Sequence, residues 1–288
     1  MKSAKLLLRL SPLLIPYLIL FCGGVFLTVA QSLGYLTPLP YPGGRYEAYA
    51  RVFASPSLFA SFLFSLQVAA ASALLAVTAG TLLAYWVWKL PQRLQGAAIV
   101  YKIPLILPHI AVAFLVLLFW SRSGIVASLA HTLGLIDSMQ DFPNILYSGW
   151  GLGMILAYSL KGTPFAMLLV TASLLRFDVR QIQAASMLGA SRLQAFVWIV
   201  LPRLVPAIQT GFIILFLYSF GAFDIPFLLS ESRPGMLSIR VFNLYFKRDL
   251  AQRPEAMAIL TLMFCFAVLF IIVYSRIVNR LDSAERKV

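Results

Sequence analysis

The stretch QAASMLGASRLQAFVWIVLP, residues 183–202, lies between two apolar segments and carries the pattern that decides the fold. Just before it, Asp178 is a good N-cap, and Gln181 three residues on has the reach to return to the free amides, so a first short helix is expected to open there. Gly189 tolerates the left-handed backbone that ends such a helix. Ser191 and Gln194 repeat the capping spacing, and Leu193, Phe196, Val197 and Val200 follow at helical intervals on one face. Pro202 is expected to stop that second helix. A helix, a glycine turn and an amphipathic helix over 178–202 form a hairpin that needs something outside a bilayer to press against.

The bilayer itself follows from composition. Hydrophobic residues make up 61% of the chain and charged residues only 11%, whereas a soluble domain carries about a quarter charged residues. With a mean hydropathy of +0.88, the chain reads as an all-α polytopic membrane protein. Six spans of about 20 residues or more are laid out at 11–33, 58–88, 97–120, 150–174, 205–229 and 256–277. We read 1–288 as one transmembrane domain, without an internal repeat, a low-complexity run or a soluble module.

The basic residues orient these spans. Lys2, Lys5 and Arg9 precede the first span, Lys89 and Arg93 follow the second, Arg176, Arg180, Arg192 and Arg203 flank or enter the hairpin, and Arg276, Arg280, Arg286 and Lys287 follow the sixth. All fall on one side, which the positive-inside rule makes cytoplasmic, so the hairpin and both termini are expected there. One loop runs against this: Arg233, Arg240, Lys247, Arg248 and Arg253 fall outside, offset in part by Glu231, Asp249 and Glu255. The net charge of +13 is thus mostly topological and suited to anionic lipid; its dispersal and the lack of a binding module argue against nucleic acid. The N-terminal apolar run lacks a clear small-residue cleavage site and is read as a retained first span.

Several chemistries are excluded. Cys22 and Cys265 lie inside spans and fit neither a disulfide framework nor a zinc site. His109 and His131 have no second ligand at metal-binding spacing, and each is read as a packing or surface residue. No nucleophile elbow, paired-carboxylate motif or phosphate-binding Gly-x-x-x-x-Gly-Lys-Ser/Thr loop is present, so no catalytic, cofactor or metal residues are assigned. If ATP drives this protein, another polypeptide must bind it. The loops 34–57, with Pro38, Pro40, Pro42, Gly43 and Gly44, 122–148, with a short helix expected at 125–133, and 230–255 face outward, as connectors or as a landing surface.

Spans three to five carry helix interruptions. Pro104 and Pro108 break the third, Gly162 and Pro164 the fourth, and Gly221 and Pro226 the fifth. Each proline removes a donor and frees a carbonyl that protein or a watery cavity must satisfy, so these positions are candidates for a translocation path or for simple bends. Lys161 falls near the middle of span four, where an unpaired charge costs at least about 2.5–3.5 kcal/mol. It either lines the path, pairs with Asp224 as part of a gate, or is held by an ion pair or by freed carbonyls in a purely structural role.

The hairpin resembles the EAA motif of binding-protein-dependent ABC importer permeases, Glu-Ala-Ala, three residues, Gly, nine residues, Ile, one residue, Leu-Pro. Ala184, Ala185, Gly189, Ile199, Leu201 and Pro202 meet it, and Gln183 replaces the usual Glu. More loosely, Gly221, Phe223, Asp224, Ile225, Pro226, Leu228 and Leu229, then Arg240, Phe246, Asp249 and the run from Glu255 to Ala258, are similar to the first permease subunit of spermidine/putrescine-type importers and their iron(III), thiamine and phosphonate relatives. The resemblance implies a MetI-like fold in a bacterial inner membrane. It also implies a sister or identical second permease subunit, an ABC ATPase dimer using ATP and Mg, an extracytoplasmic substrate-binding protein, and a small, polyamine-type or otherwise charged solute. In that picture Gly189 makes the turn, Ala184 and Ala185 allow close approach, and Leu193, Phe196 and Val197 anchor the second helix. Two readings from other classes stay open, an ion-coupled secondary transporter acting alone and a non-transporting scaffold subunit.

Overall fold

A computed structural model describes residues 2–39, 41, 43–91, 93, 96–230, 234–247 and 249–285, with backbone alone at 2–9, 97–99, 247 and 279–285. Glu231, Arg233, Arg248, Arg286, Lys287, Pro40 and Pro42 therefore lie outside the described residues, as do the side chains of Lys2, Lys5, Arg9, Lys247 and Arg280. The described chain is helical, and six stretches are long and apolar enough to cross a bilayer: Leu10–Ser32, Pro56–Lys89, His109–Thr132, Leu152–Leu174, Arg192–Gly221 and Leu250–Val278. Three of these differ from the expected bounds by more than two residues, the sixth by starting at Leu250. The third begins at His109, because residues 97–106 form a separate 3-10 turn and a one-turn helix that ends before Leu107. The fifth begins with the hairpin at Arg192 and stops at Gly221, leaving Asp224–Leu229 as a short helix of its own.

The chain divides into two units, residues 1–60 with 239–288 and residues 61–238. In the first, Lys2–Ser32 packs along Arg253–Glu285, which also carries the short helix Glu47–Ala54. Its polar end is tied by specific bonds. Ser32 Oγ lies 2.8 Å from Tyr49 Oη, Tyr41 Oη donates to Glu255 Oε1 at 3.3 Å, and Arg51 meets Glu47 at 3.0 Å and Glu255 at 3.8 Å. Burial, and then the Glu255 carboxylate, push the Tyr41 phenol up to about 12. Arg240 donates to Ser55 Oγ and Ser57 Oγ at 2.7 and 2.6 Å, and Arg253 donates to the Tyr245 carbonyl at 3.3 Å while stacking 4.6 Å from its ring. Two of the cations that ran against the charge rule thus act as local fasteners.

The second unit is built on small residues. In lipid no hydrophobic drive brings helices together, so close backbone approach must supply the packing. Along Pro56–Lys89 the buried face reads Ser65, Ala69, Ser72, Ala73, Ala76, Gly80 and Ala84, while Leu74, Leu75, Leu82 and Leu83 point outward. This face meets Leu152–Leu174: an added Cβ at Gly80 would lie 2.7 Å from Ala166 Cβ and 2.8 Å from the Thr163 carbonyl, so only glycine fits. The buried serines bond back to their own helix, Ser65 to the Ser61 carbonyl at 2.8 Å and Ser72 to that of Val68 at 2.7 Å. Ser159 Oγ also donates across to the Ser72 carbonyl at 3.3 Å. Leu201–Gly221 and His109–Trp120 pack against Leu152–Leu174, and Asp224–Leu229 packs on both of the latter.

Candidate functional site: the hairpin and the broken helices

The hairpin forms, with one shift at its start. The first helix is Arg180–Met187 with Val179 as N-cap, which puts Gln181 one position short of where a capping box needs it. Asp178 instead accepts the Arg180 amide on Oδ1 at 3.0 Å and the Gln181 amide on its carbonyl at 3.2 Å. The helix ends in a complete Schellman motif: Gly189 sits at φ +85°, its amide bonds the Ser186 carbonyl at 3.1 Å, and the Ala190 amide bonds the Ala185 carbonyl at 3.0 Å. Ser191 and Gln194 make the expected box in both directions, at 2.8 and 3.3 Å. Gln183, Ala184 and Ser191 are exposed and Ala185 is half-buried.

Pro202 does not stop the second helix. The backbone widens to a π-turn over Phe196–Val200, in which the Leu201 amide reaches back to the Phe196 carbonyl, and continues into Leu201–Gly221 with Pro202 in the first turn. The wide turn absorbs the donor that proline lacks. The hairpin helix and the fifth span are therefore one continuous rod. The apolar residues expected on one face divide: Phe196, its ring 4.5 Å from that of Tyr85, packs with Val200 and Leu204 against Met167, Val170 and Leu174, whereas Leu193 lies one turn before this core begins and points out. Val197 and Pro202 are exposed and Leu201 is half-buried. With Leu193 at 72% exposure, Met187 and Leu188 at 89% and Trp198 at 77% make an apolar surface at the hairpin tip. Leu188, Gly189, Gln194 and Trp198 also border a groove of about 340 Å³. The outward apolar residues Met187, Leu188 and Trp198 were not singled out from the sequence, although three large apolar side chains beside a glycine turn on a polar hairpin were a readable signal.

Among the interruptions, Pro104, Pro108 and Lys161 come together. The one-turn helix Ile103–Ile106 ends at Leu107, which is extended at φ −65°, ψ 137°, and Pro108 caps the next helix. Pro108 has no amide for the carbonyl four residues back, and Lys161 Nζ replaces it: it donates to the Pro104 carbonyl at 2.8 Å, to that of Leu105 at 3.0 Å, and to that of Leu107. No ion pair joins Lys161 to Asp224; three carbonyl dipoles hold the ammonium instead. The expected break in the fourth span does not occur: Gly162 and Pro164 are buried within the continuous helix Leu152–Leu174. Gly221, Asp224 and Pro226 form a second break: the helix ends at Gly221, Ala222 is extended, and exposed Asp224 with buried Pro226 opens the short helix.

Between the third, fourth and fifth spans lies a cavity of about 200 Å³. Its polar wall is His109, Tyr158, Lys161, Tyr218 and Ser219, and Leu105, Phe165, Ile214 and Leu215 supply the apolar one. His109 and Tyr218 have ring centroids 5.0 Å apart, and Tyr158 meets Tyr218 edge-on at 6.3 Å. His109, read from sequence as packing or surface, thus faces the cavity. Tyr158, Lys161 and Phe165 repeat at helical spacing, a stripe that was available to a reader of the sequence.

Comparison with known proteins agrees with this architecture. Over 177 residues the chain is 28% identical to the molybdenum transport system permease protein ModB of Escherichia coli strain K12, covering 60% of this chain and 72% of that one. It is 26% identical over 188 residues to the spermidine/putrescine transport system permease protein PotB of Salmonella typhimurium strain SL1344, covering 65% of this chain and 63% of the relative. A crystal structure of a bacterial alginate ABC transporter, in complex with an alginate pentasaccharide-bound periplasmic protein, superposes with a TM-score of 0.77 at 20% identity over 97% of each chain. Residues 76–287, which include the hairpin, both helix breaks and the cavity, match the binding-protein-dependent transport system inner membrane component family, and the chain belongs to it as the multi-pass permease of an ABC importer.

Proposed function

We propose that the 178–202 hairpin is the element by which an ABC ATPase drives this permease, and that the broken third and fifth spans, with the continuous fourth between them, form the solute path. The single observation that carries the reading is the tip: Met187, Leu188, Leu193 and Trp198 stand exposed on a hairpin whose second helix is continuous with a span and anchored into the core by Phe196 and Val200. Exposed side chains of this size each release about 1.5–3 kcal/mol when fully buried, so a partner seated on the tip gains enough to hold it, and a continuous rod transmits the partner's movement without a flexible joint. In this reading ATP and Mg are bound by a partner ATPase dimer, the second half of the core is a sister permease or a second copy, and an extracytoplasmic binding protein delivers the solute. The hairpin and both termini then face the cytoplasm, as the charge distribution supports. Closure of the ATPase moves the paired hairpins, and the breaks at Leu107–Pro108 and Ala222–Phe223 are where the spans yield.

The cargo is a small charged solute. Likeness to PotB supports a polyamine type; a second reading, a small anion, is favoured by Lys161, which reaches the cavity with no carboxylate beside it. The coupling assignment is tested by Gly189→Asp. Reconstituted with its ATPase and binding protein, this variant is expected to insert normally and to lose ATP-driven uptake, since a carboxylate is added to the exposed turn and the residue is held at φ +85°. Normal uptake by that variant counts against the hairpin as the coupling element.

A further inference from the structure

We infer that the cavity between the third, fourth and fifth spans is a binding subsite for a small anion with oxygen acceptors. The inference rests on the permease reading and names the class of solute that its path takes. Three features of the cavity converge on that class.

The first is charge. Among the described residues Lys161 lines the cavity and no carboxylate does; Asp224, the counter-charge offered by the sequence, is exposed and forms no part of the wall, and its charge is felt at His109, Tyr158 and Tyr218 but not at Lys161. A cation placed here meets an ammonium across apolar walls that screen poorly, while an anion is drawn in by the same field. The second is an unspent donor. Tyr158 is only 3% exposed, lines the cavity, and its hydroxyl has no hydrogen-bond partner. A buried hydroxyl left in that state is disfavoured, and an acceptor on a guest repairs it. Lys161 cannot supply that acceptor, and its own three N–H bonds are spent on the Pro104, Leu105 and Leu107 carbonyls. The ammonium therefore contributes field while Tyr158, with His109 beside Tyr218, contributes direct contacts. The third is size. At about 200 Å³ the cavity is smaller than the usual 300–1,000 Å³ of organic-ligand pockets, and it suits a solute of a few heavy atoms, not an oligosaccharide.

The test uses the assembled importer core, this chain with its second permease subunit and ATPase in lipid nanodiscs, with the binding protein left out so that it contributes no site. Equilibrium binding is measured with radiolabelled sulfate, oxalate and putrescine. Saturable binding of at least one anion and none of putrescine is expected, with affinity falling about tenfold in Tyr158→Phe, the loss of one hydrogen bond to a charged guest. Because Lys161 also holds the Leu107 break together, Tyr158→Phe, which removes a single oxygen, is the deciding variant. Saturable putrescine binding, no saturable binding of either anion, or wild-type anion affinity in Tyr158→Phe each overturns the inference. A core that captures its ATPase yet binds neither anion sinks this site and leaves the permease reading standing. A chain that captures no ATPase sinks the permease reading, and this inference with it.

Discussion

Lys161 and Gly80 show how single residues in this fold are judged by what surrounds them. A lysine in mid-span invites a charge partner, and the sequence offered Asp224; the structure satisfies it with the carbonyls that Pro108 and the Leu107 break leave open. The need for a partner was legible, since an unpaired charge in a bilayer is always costly. The identity of the partner was not, because the carbonyls lie more than fifty residues away in the chain. Gly80 is the converse, one glycine among many in the sequence that the structure makes irreplaceable. Gly80→Ala is expected to destabilise the protein by about 1–3 kcal/mol, since Ala166 Cβ and two backbone atoms crowd the new methyl. Gly24→Ala, with nothing within 4 Å, is expected to be neutral or to stabilise by about 0.4–1 kcal/mol. Thermal unfolding of the purified variants in detergent checks the pair, and equal midpoints would contradict the close-packed seam between the second and fourth spans.

At the level of elements, the hairpin was almost entirely readable. Its caps are local devices: Ser191 with Gln194, and the glycine after Leu188, depend on residues three to five apart. Its continuation was not readable, because proline is as compatible with a helix stop as with a π-turn that goes around the missing donor. That turn sets the rotation of the hairpin about the fifth span. Pro202→Ala restores an amide and lets Phe196–Val200 tighten to α-helix, which turns the tip by about 100°. Insertion is expected to be unchanged and ATP-driven uptake to fall about 5-fold or more. Proteoliposome uptake measures the loss, and spin-label distances across the turn report the rotation; full uptake with a rotated tip would mean the wide turn does not set the coupling geometry.

For the whole molecule, the prediction concerns what covers the tip. In a background where the two exposed cysteines, Cys22 and Cys265, are replaced by serine, a cysteine at exposed Leu193 is expected to cross-link to the ATPase and one at buried Ala195 is not. Labelling of the Leu193 position alone by lipid-phase reagents, with no cross-link, would place the hairpin against the bilayer instead. By itself the sequence determined that the chain crosses a membrane six times, that a capped hairpin precedes the fifth span and that the third and fifth spans are interrupted, since run length, capping and proline chemistry are properties of neighbouring residues; the break it also offered at Gly162 and Pro164 does not occur. Only the tertiary structure decided that the hairpin and span form one rod, that Arg240 and Arg253 are fasteners, and that Tyr158, Lys161 and His109 share a cavity without a carboxylate. Those outcomes depend on which distant backbone and side-chain atoms come within hydrogen-bond reach, and in a bilayer, where every buried polar group must find its partner within the protein, folding alone makes that choice.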